Sequence, residues 1–240
     1  MITKDYIDKI VADLRAAGNF PKMQRSLSGL GVEEAWWLFE GIARAMVPGF
    51  RVTDGRAKAY SALSAWAANL PFKAVDPDTG KEVDGDPCKG LFVAGNPGSG
   101  KTTAVNVARL MAGQLSARFC YGSDSSLLRW TDSTAAMICD HYAQQGTLSF
   151  FQAMKVVSVQ DLGSEPRETL YMGNRHEVMR EFLELRGDTP GRFTIITSNF
   201  NYATIRKAYG DRVWSRLHQM CNYVELVGDD MRVGVRGDGS

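Results

Sequence analysis

From residue 90 onward, short apolar runs alternate with longer stretches in which apolar residues recur at helical spacing. This alternation is typical of a parallel sheet that is covered by helices on both faces. The pattern predicts five strands, at 91–94, 117–121, 156–160, 193–197 and 223–227. It also predicts helices at 101–115, 133–145 and 176–185, and one that begins near residue 202. We therefore predict an α/β fold for this part of the chain.

The first 70 residues carry a helical pattern without strands. Apolar residues from Tyr6 to Leu14 share one face, Thr3 can cap this helix and Gly18 can end it. A cluster from Trp36 to Met46 and a stripe at 56–70 predict two further helices, whose aromatic residues we interpret as core. The predicted organisation is a small helical region at 1–70, a linker, loop or irregular hairpin at 71–89, the main domain at 90–233 and a flexible tail at 234–240.

Composition narrows the class of protein only slightly. With 44% hydrophobic and 23% charged residues the chain is typical of a globular protein, and its net charge of +1 means that nucleic acid would have to bind a local patch. The four cysteines are too widely spaced to indicate a zinc site. No apolar run reaches the roughly 18 residues that a bilayer span requires, so we expect no membrane partner and a cytoplasmic location.

The strongest chemical signal is GNPGSGKTT, which matches the phosphate-binding pattern G-x-x-x-x-G-K-[ST] between a predicted strand and a predicted helix. Glycines let backbone N–H groups turn toward phosphate oxygens, and the start of the helix adds its positive end. Lys101 is expected to reach the β- and γ-phosphates of ATP or ADP, and the Thr102 hydroxyl to ligate Mg²⁺. The predicted nucleotide-binding residues here are Gly95, Asn96, Pro97, Gly98, Ser99, Gly100, Lys101, Thr102 and Thr103.

Two later strands end in polar residues, at the sheet edge where parallel sheets bind ligands. Asp161 follows the strand at 156–160 and is a predicted ligand for Mg²⁺ or its water. Asn199 follows the strand at 193–197 and could position the attacking water, although it could also cap the next helix. We predict that both side chains meet the same phosphate.

Beyond the phosphate loop, the segments DLGSE, YMGNRHEVMREFLELR, TSN, YGDRVWSRL and VELVGDDMR follow in an informative order. Together with the loop they resemble the AAA+ ATPase domain of DnaC-type replicative helicase loaders, over Lys89 to Arg232. The resemblance implies a five-stranded parallel sheet in the order 5-1-4-3-2. It also implies a protein that binds ATP, a hexameric replicative helicase and single-stranded DNA, with residues 1–70 as the helicase-binding part.

The resemblance implies roles for four residues outside the phosphate loop. Asn199 matches the sensor-1 position, which reads the γ-phosphate, and Arg232 resembles the sensor-2 arginine. Arg216 matches the arginine finger, and Arg212 is the nearby basic residue of the same motif. A finger acts on the nucleotide of a neighbouring subunit, so it implies self-association.

One position departs from the family pattern, because its acidic pair reads Gln160-Asp161 in this chain. If the pairs align directly, Gln160 replaces the magnesium aspartate, Asp161 is the only acid at the strand tip, and hydrolysis is slow. Alternatively, Asp161 binds the metal and Glu165 polarises the water. ATP binding is expected in either case, because the phosphates and Thr102 retain Mg²⁺.

Three functions remain open at this point. The leading hypothesis is an ATP-binding helicase loader with weak hydrolysis. The alternatives are a nucleotide-responsive binding module without turnover and a transposition-helper ATPase. Candidate DNA contacts are Arg175, His176 and Arg180, or the segment around Arg129 and Trp130.

Overall fold

The structure is a computed structural model in which residues 4–16 and 21–228 are described. Its strands are β1 (Met23–Arg25), β2 (Lys73–Val75), β3 (Glu82–Asp84), β4 (Gly90–Ala94), β5 (Arg118–Tyr121), β6 (Asp124–Leu127), β7 (Asp132–Thr134), β8 (Val156–Leu162), β9 (Thr169–Tyr171), β10 (Asn174–His176), β11 (Phe193–Ser198) and β12 (Cys221–Glu225). Its helices are α1 (Lys4–Ala16), α2 (Val32–Met46), α3 (Asp54–Ala67), α4 (Lys101–Gln114), α5 (Ala135–Gln145), α6 (Ser149–Ala153), α7 (Val178–Asp188) and α8 (Tyr202–Met220). The predictions for Thr3, Gly18, Arg232 and the tail at 234–240 concern residues outside the described ranges.

A seven-stranded sheet in the order β3-β2-β12-β4-β11-β8-β7 forms the centre of the fold. The five strands from β12 to β7 are parallel to their neighbours, whereas β2 and β3 add an antiparallel hairpin at one edge. β4 and β11 are buried along their whole length, as expected where helices cover both faces of a parallel sheet. The predicted α/β class is confirmed.

The structure corrects two predictions, namely the number of strands in the main sheet and the sheet to which the second predicted strand belongs. Residues 118–121 do form β5, but β5 pairs with β1 and β6 in a separate antiparallel sheet. The place beside β8 belongs to β7, so the predicted order 5-1-4-3-2 fits only when β7 is taken as the second strand. The reason is burial: β5 keeps some residues in solvent, which suits a small antiparallel sheet better than the interior of a parallel one.

Two further segments refine the prediction. Residues 71–89, predicted as a loop or irregular hairpin, contain the hairpin β2–β3 that extends the main sheet. The last strand, predicted at 223–227, is β12 and begins two residues earlier, at Cys221. In the part of the chain that the structure describes, no helix has the length and apolar character needed to cross a membrane.

Helices α2 and α3 share one hydrophobic core with α4 and the sheet. Phe39, Tyr60 and Trp66 are each at most 2% exposed, so the interpretation as core is correct for them, but it is wrong for Trp37, which is 63% exposed. The Trp66 ring meets Trp130 and Phe193 edge-on, with ring centroids 6.1 Å away in both cases. Its indole N–H donates to the Lys89 carbonyl at 2.8 Å, which fixes α3 next to the start of β4.

Arg25 on β1 closes the end of α3. Its guanidinium donates to the carbonyl oxygens of Trp66 at 2.6 Å and Ala67 at 3.1 Å, which are among the groups that a helix end leaves without partners. Burial lowers the pKa of Arg25 to about 10, so the side chain remains charged at neutral pH.

Helix α1 differs from α2 and α3 because its apolar face is open to solvent. Ile7, Ile10 and Leu14 are 51%, 42% and 39% exposed. No residue of α1 belongs to either hydrophobic cluster of the described structure. The core therefore depends on α2 and α3 but not on α1.

Removing residues 1–70 is expected to abolish cooperative folding, whereas removing residues 1–20 is expected to preserve it. The longer deletion exposes the surface of α4 and the sheet that α2 and α3 cover, and loss of a single buried aromatic residue already costs about 3–5 kcal/mol. Thermal unfolding followed by near-UV circular dichroism checks both variants. A cooperative transition in the chain that starts at residue 71 would contradict this dependence.

Candidate nucleotide-binding site

The phosphate loop connects the end of β4 to the start of α4, and its backbone requires glycine at several positions. Gly98 and Gly100 have φ angles of 75° and 93°, which side-chain-bearing residues rarely adopt. A Cβ atom on Gly95 would lie 2.2 Å from the Leu226 carbonyl oxygen, so only glycine fits beside the end of β12. The chain therefore turns tightly and aims the start of α4 toward the loop, while Asn96, Pro97 and Thr102 remain exposed to solvent.

Lys101 reaches back across this loop. Its ammonium group donates to the carbonyl oxygens of Gly95 at 2.8 Å and Asn96 at 2.9 Å. It also donates to the Asn199 side-chain oxygen at 2.7 Å. The structure thus brings the predicted phosphate-binding lysine and the predicted sensor residue into direct contact.

Ser99 supplies a further sign that the loop is built for a ligand. The residue is fully buried, and its hydroxyl oxygen has no hydrogen-bond partner among the described residues. A buried polar atom without a partner is uncommon, and a bound ion or water is one of the explanations for it. The positively charged Lys101 and the amino end of α4, whose first turn includes Thr103, also suit an anionic phosphate chain.

Thr102 and Gln160 form the second half of the site. The Thr102 hydroxyl donates to the Gln160 side-chain oxygen at 3.3 Å, and the Thr197 hydroxyl donates to the same oxygen at 2.7 Å. The Gln160 amide nitrogen donates to Ser158 at 2.8 Å and to Asp132 at 3.4 Å. Gln160 is 2% exposed, so a fully hydrogen-bonded amide lies buried beside the threonine that is expected to bind Mg²⁺.

Asp161 occupies a β-bulge next to Gln160. The register of β11 against β8 shifts between Ile196 and Ser198, and Asp161 has a φ angle of 56°. Its backbone N–H donates to the Thr197 hydroxyl at 3.0 Å, whereas its carboxylate makes no hydrogen bond or ion pair with any described residue. The strand tip therefore offers one half-buried carboxylate that is open to a ligand or water.

Glu165 is committed to a different contact. One carboxylate oxygen accepts from the Gly163 backbone N–H at 2.8 Å, and the other accepts a short hydrogen bond from the Tyr209 hydroxyl. Burial and the adjacent Glu165 raise the pKa of Tyr209 far above its usual range, which keeps the hydroxyl protonated. With both oxygens engaged, Glu165 holds the loop after β8, and the alternative in which it polarises water is disfavoured.

These residues fit Mg²⁺ bound together with phosphate. The described residues contain no group of three His, Cys, Asp or Glu side chains that could hold a metal ion alone. The available donors are the Thr102 hydroxyl oxygen and the Asp161 carboxylate, since the Gln160 amide oxygen already accepts two hydrogen bonds, and Mg²⁺ prefers oxygen ligands combined with water and substrate phosphates. Thr102 and Asp161 would hold the ion, and the phosphates would complete its coordination.

The candidate finger residues lie on α8, after a break in the helix at Gly210, whose φ angle is 87°. The Arg212 guanidinium pairs with Glu184 at 3.2 Å, and Arg216 pairs with Asp188. Arg216 also packs over Gly187, where a Cβ atom would lie 2.6 Å from its side chain. Both arginines thus contact α7 rather than the phosphate loop, and their finger role stays a prediction, as does that of Arg232.

Burial or ion pairing makes three of the candidate DNA-contacting side chains less available to DNA. Trp130 is 6% exposed and packs against Trp66, so the prediction that it stacks on a base is wrong. Arg175 pairs with Glu168 at 3.1 Å. Arg180 pairs with two glutamates, Glu177 at 2.8 Å and Glu184 at 3.3 Å.

Sequence reasoning missed three polar residues around Gln160, namely Asp132, Ser158 and Thr197. Ser158 and Gln160 do show a signal, because polar residues two apart on a strand share one face. Asp132 lies on a three-residue strand and carries no comparable signal.

No protein-family model matches the sequence, and no curated protein matches it. Solved structures that resemble this one include a DnaC helicase loader, at 18% identity over 74% of this chain and 93% of that chain, with a TM-score of 0.48. A protein assigned as a primosome component from Streptococcus pyogenes serotype M3 is 19% identical over 75% of this chain and 84% of that chain, also with a TM-score of 0.48. AMPPCP-bound DnaA from Aquifex aeolicus is 18% identical over 78% of this chain and 51% of that chain, again at 0.48. A DnaC-type loader, the family that the motifs resemble, is thus among the solved structures to which this chain is similar.

Proposed function

We propose that this protein is an ATP-binding helicase loader of the AAA+ class, which acts in replication initiation in the cytoplasm. It would use its nucleotide state to hold and release a hexameric replicative helicase on single-stranded DNA. The observation that carries the nucleotide part is the contact between Lys101 and Asn199 at 2.7 Å, which joins the phosphate loop to the tip of the neighbouring strand. The helicase and DNA parts rest on the order of the motifs.

The geometry supports ATP binding with slow turnover. Lys101 and the loop N–H groups would hold the phosphates, and Asn199 would report whether a γ-phosphate is present. Magnesium supplies charge neutralisation of the phosphates when bound. Gln160 brings no negative charge to this site, and Asp161 is the one carboxylate at the tip of β8. Transition-state charge would be stabilised by Arg216 and Arg212 of a neighbouring copy, which requires self-association.

The N-terminal region is proposed to bind the helicase, and α1 is the part best suited to do so. Its apolar face exposes Ile7, Ile10 and Leu14, and Trp37 on α2 is a further exposed apolar side chain of this region, at 63%. The three side chains of α1 share one face of the helix, and contiguous exposed apolar side chains often mark a site for another protein. Because α2 and α3 also complete the core, α1 is the element whose contacts can be tested without unfolding the protein.

A nucleotide-responsive binding module is the second candidate. Gln160 favours it, because a neutral and fully hydrogen-bonded amide replaces the family's acid beside Thr102. Such a protein would bind ATP or ADP, change conformation and recruit its partner with no meaningful hydrolysis. The two candidates share the nucleotide site and differ in turnover.

Substituting Lys101→Ala is expected to weaken ATP binding about 10- to 100-fold, because charge-assisted hydrogen bonds to phosphate are worth roughly 1.5–3 kcal/mol. Isothermal titration with ATP and Mg²⁺ measures the change. The control is Lys81→Ala, which removes an exposed lysine from the β2–β3 hairpin region. Equal affinity in the two variants would contradict the assignment of the phosphate site.

Substituting Gln160→Asp is expected to raise the rate of ATP hydrolysis about tenfold, because it supplies the missing negative charge, and each 1.36 kcal/mol of barrier corresponds to a factor of ten. Phosphate release at saturating ATP, with and without single-stranded DNA, gives the rates. Gln160→Asn is the matched uncharged control. If the wild type hydrolyses ATP readily and Gln160→Asp changes nothing, the interpretation of Gln160 is wrong.

The double substitution Ile7→Ser with Ile10→Ser is expected to abolish capture of a purified hexameric replicative helicase, because it removes the exposed apolar face of α1. The paired control is Asp8→Ser with Lys9→Ser, on exposed polar positions of the same helix. Pull-down of the helicase with ATP present compares the two. Undiminished capture by the Ile7 and Ile10 variant would remove the support for α1 as the contact.

A further inference from the structure

Asp132 lies beside Gln160 although the two residues are far apart in sequence. β7 pairs in parallel with β8, so that Thr134 is opposite Gln160 and Asp132 is opposite Ser158. One Asp132 carboxylate oxygen is 3.4 Å from the Gln160 amide nitrogen. The other is 4.0 Å from the Arg109 guanidinium on α4. The carboxylate therefore stands between the buried amide and a cation.

The Gln160 amide could in principle be turned either way, because its oxygen and nitrogen ends have nearly the same shape. The Ser158 hydroxyl can both donate and accept, so it does not distinguish the two orientations. The Asp132 carboxylate can only accept, so it favours the orientation in which N–H faces β7. The amide oxygen is then directed toward Thr102.

Thr197 acts in the same direction from the other side. Its hydroxyl oxygen accepts from the Asp161 backbone N–H at 3.0 Å, so its own proton is available to the Gln160 oxygen at 2.7 Å. Asp132 and Thr197 together leave the amide oxygen as the acceptor for the Thr102 proton. In that arrangement the Thr102 oxygen keeps a lone pair for a metal ion.

We propose that Asp132 is a positioning residue of the nucleotide site, which orients the Gln160 amide so that Thr102 can ligate magnesium. The proposal rests on the proposed nucleotide binding and explains how a site with a neutral residue at this position retains the ion. Without Asp132, the amide can turn and donate N–H to the Thr102 oxygen, which competes with magnesium for a lone pair. Arg109 would then also lose its 4.0 Å carboxylate partner, which adds positive charge close to the site.

The test is a magnesium titration of nucleotide binding, with an ATP analogue that carries a fluorescent ribose label. Asp132→Asn is expected to raise the Mg²⁺ concentration at half-maximal binding by about fivefold or more, because a charge-assisted hydrogen bond is lost. Binding of the analogue in EDTA is expected not to weaken, since Asp132 does not contact the phosphate loop and its replacement removes a negative charge near the phosphates. Asp140→Asn is the matched control, an exposed carboxylate on the adjoining α5.

The same substitution made in the Gln160→Asp variant separates an effect on the orientation of the Gln160 amide from a general effect on charge or stability. In Gln160→Asp the side chain has two equivalent oxygens, so no residue is needed to orient it. Asp132→Asn is therefore expected to change the Mg²⁺ midpoint less than about twofold in that background. Thermal unfolding of each variant identifies any general loss of structure.

Three results would overturn the proposal. One is a Mg²⁺ midpoint for Asp132→Asn equal to that of Asp140→Asn. Another is an equal loss of binding with and without magnesium, which would mark a structural role. The third is an equal shift in the Gln160→Asp background. If the wild type binds no analogue at all, the proposed function fails and this inference fails with it, whereas failure of the midpoint shift alone leaves nucleotide binding intact.

Discussion

The buried amide of Gln160 connects the elements on which the candidate site depends. It accepts hydrogen bonds from Thr102 at the start of α4 and from Thr197 on β11, and it donates to Ser158 on its own strand. A buried polar group is costly unless its hydrogen bonds are made, so these neighbours must keep their positions for the amide to remain satisfied. The phosphate loop, the central strands and the edge strand β7 are thereby held in one arrangement.

This constraint also explains why the β-bulge lies where it does. An extra residue in β8 allows Gln160 to face Thr102, while Asp161 takes a φ angle of 56° and its carboxylate makes no hydrogen bond or ion pair with the described residues. Gln160 and Asp161, the pair that differs from the family pattern, therefore have different surroundings. The hydrogen bonds of Gln160 hold the candidate site together, whereas the Asp161 carboxylate is the group of this pair that could bind a ligand.

Local patterns predicted the phosphate loop, the strands β4, β8 and β11, and the helices that follow them, because glycine spacing and apolar runs act within a few residues. They predicted β5 as a strand but placed it in the wrong sheet, and they missed β7, which is only three residues long. Contacts between distant segments could not be predicted from local patterns either. Asp132 meets Gln160 across 28 positions and Tyr209 meets Glu165 across 44, and neither pair leaves a periodic trace in the sequence.

The Tyr209 contact also connects the loop after β8 to α8, the helix that carries the candidate finger residues. Glu165 belongs to the loop after β8, and its partner Tyr209 immediately precedes the break in α8 at Gly210. Beyond the break, Arg212 and Arg216 lie against carboxylates of α7.

A helix interrupted by a residue with φ of 87° does not behave as one rigid rod, so its two halves can be held by different partners. The first half is tied to the phosphate side of the sheet and the second to α7, and the arginines would have to leave these ion pairs before they could serve a neighbouring subunit. The Arg216 and Glu184 side chains are only 28% and 18% exposed, so the release of these pairs would cost more than the release of fully exposed pairs, which contribute at most about 1 kcal/mol each.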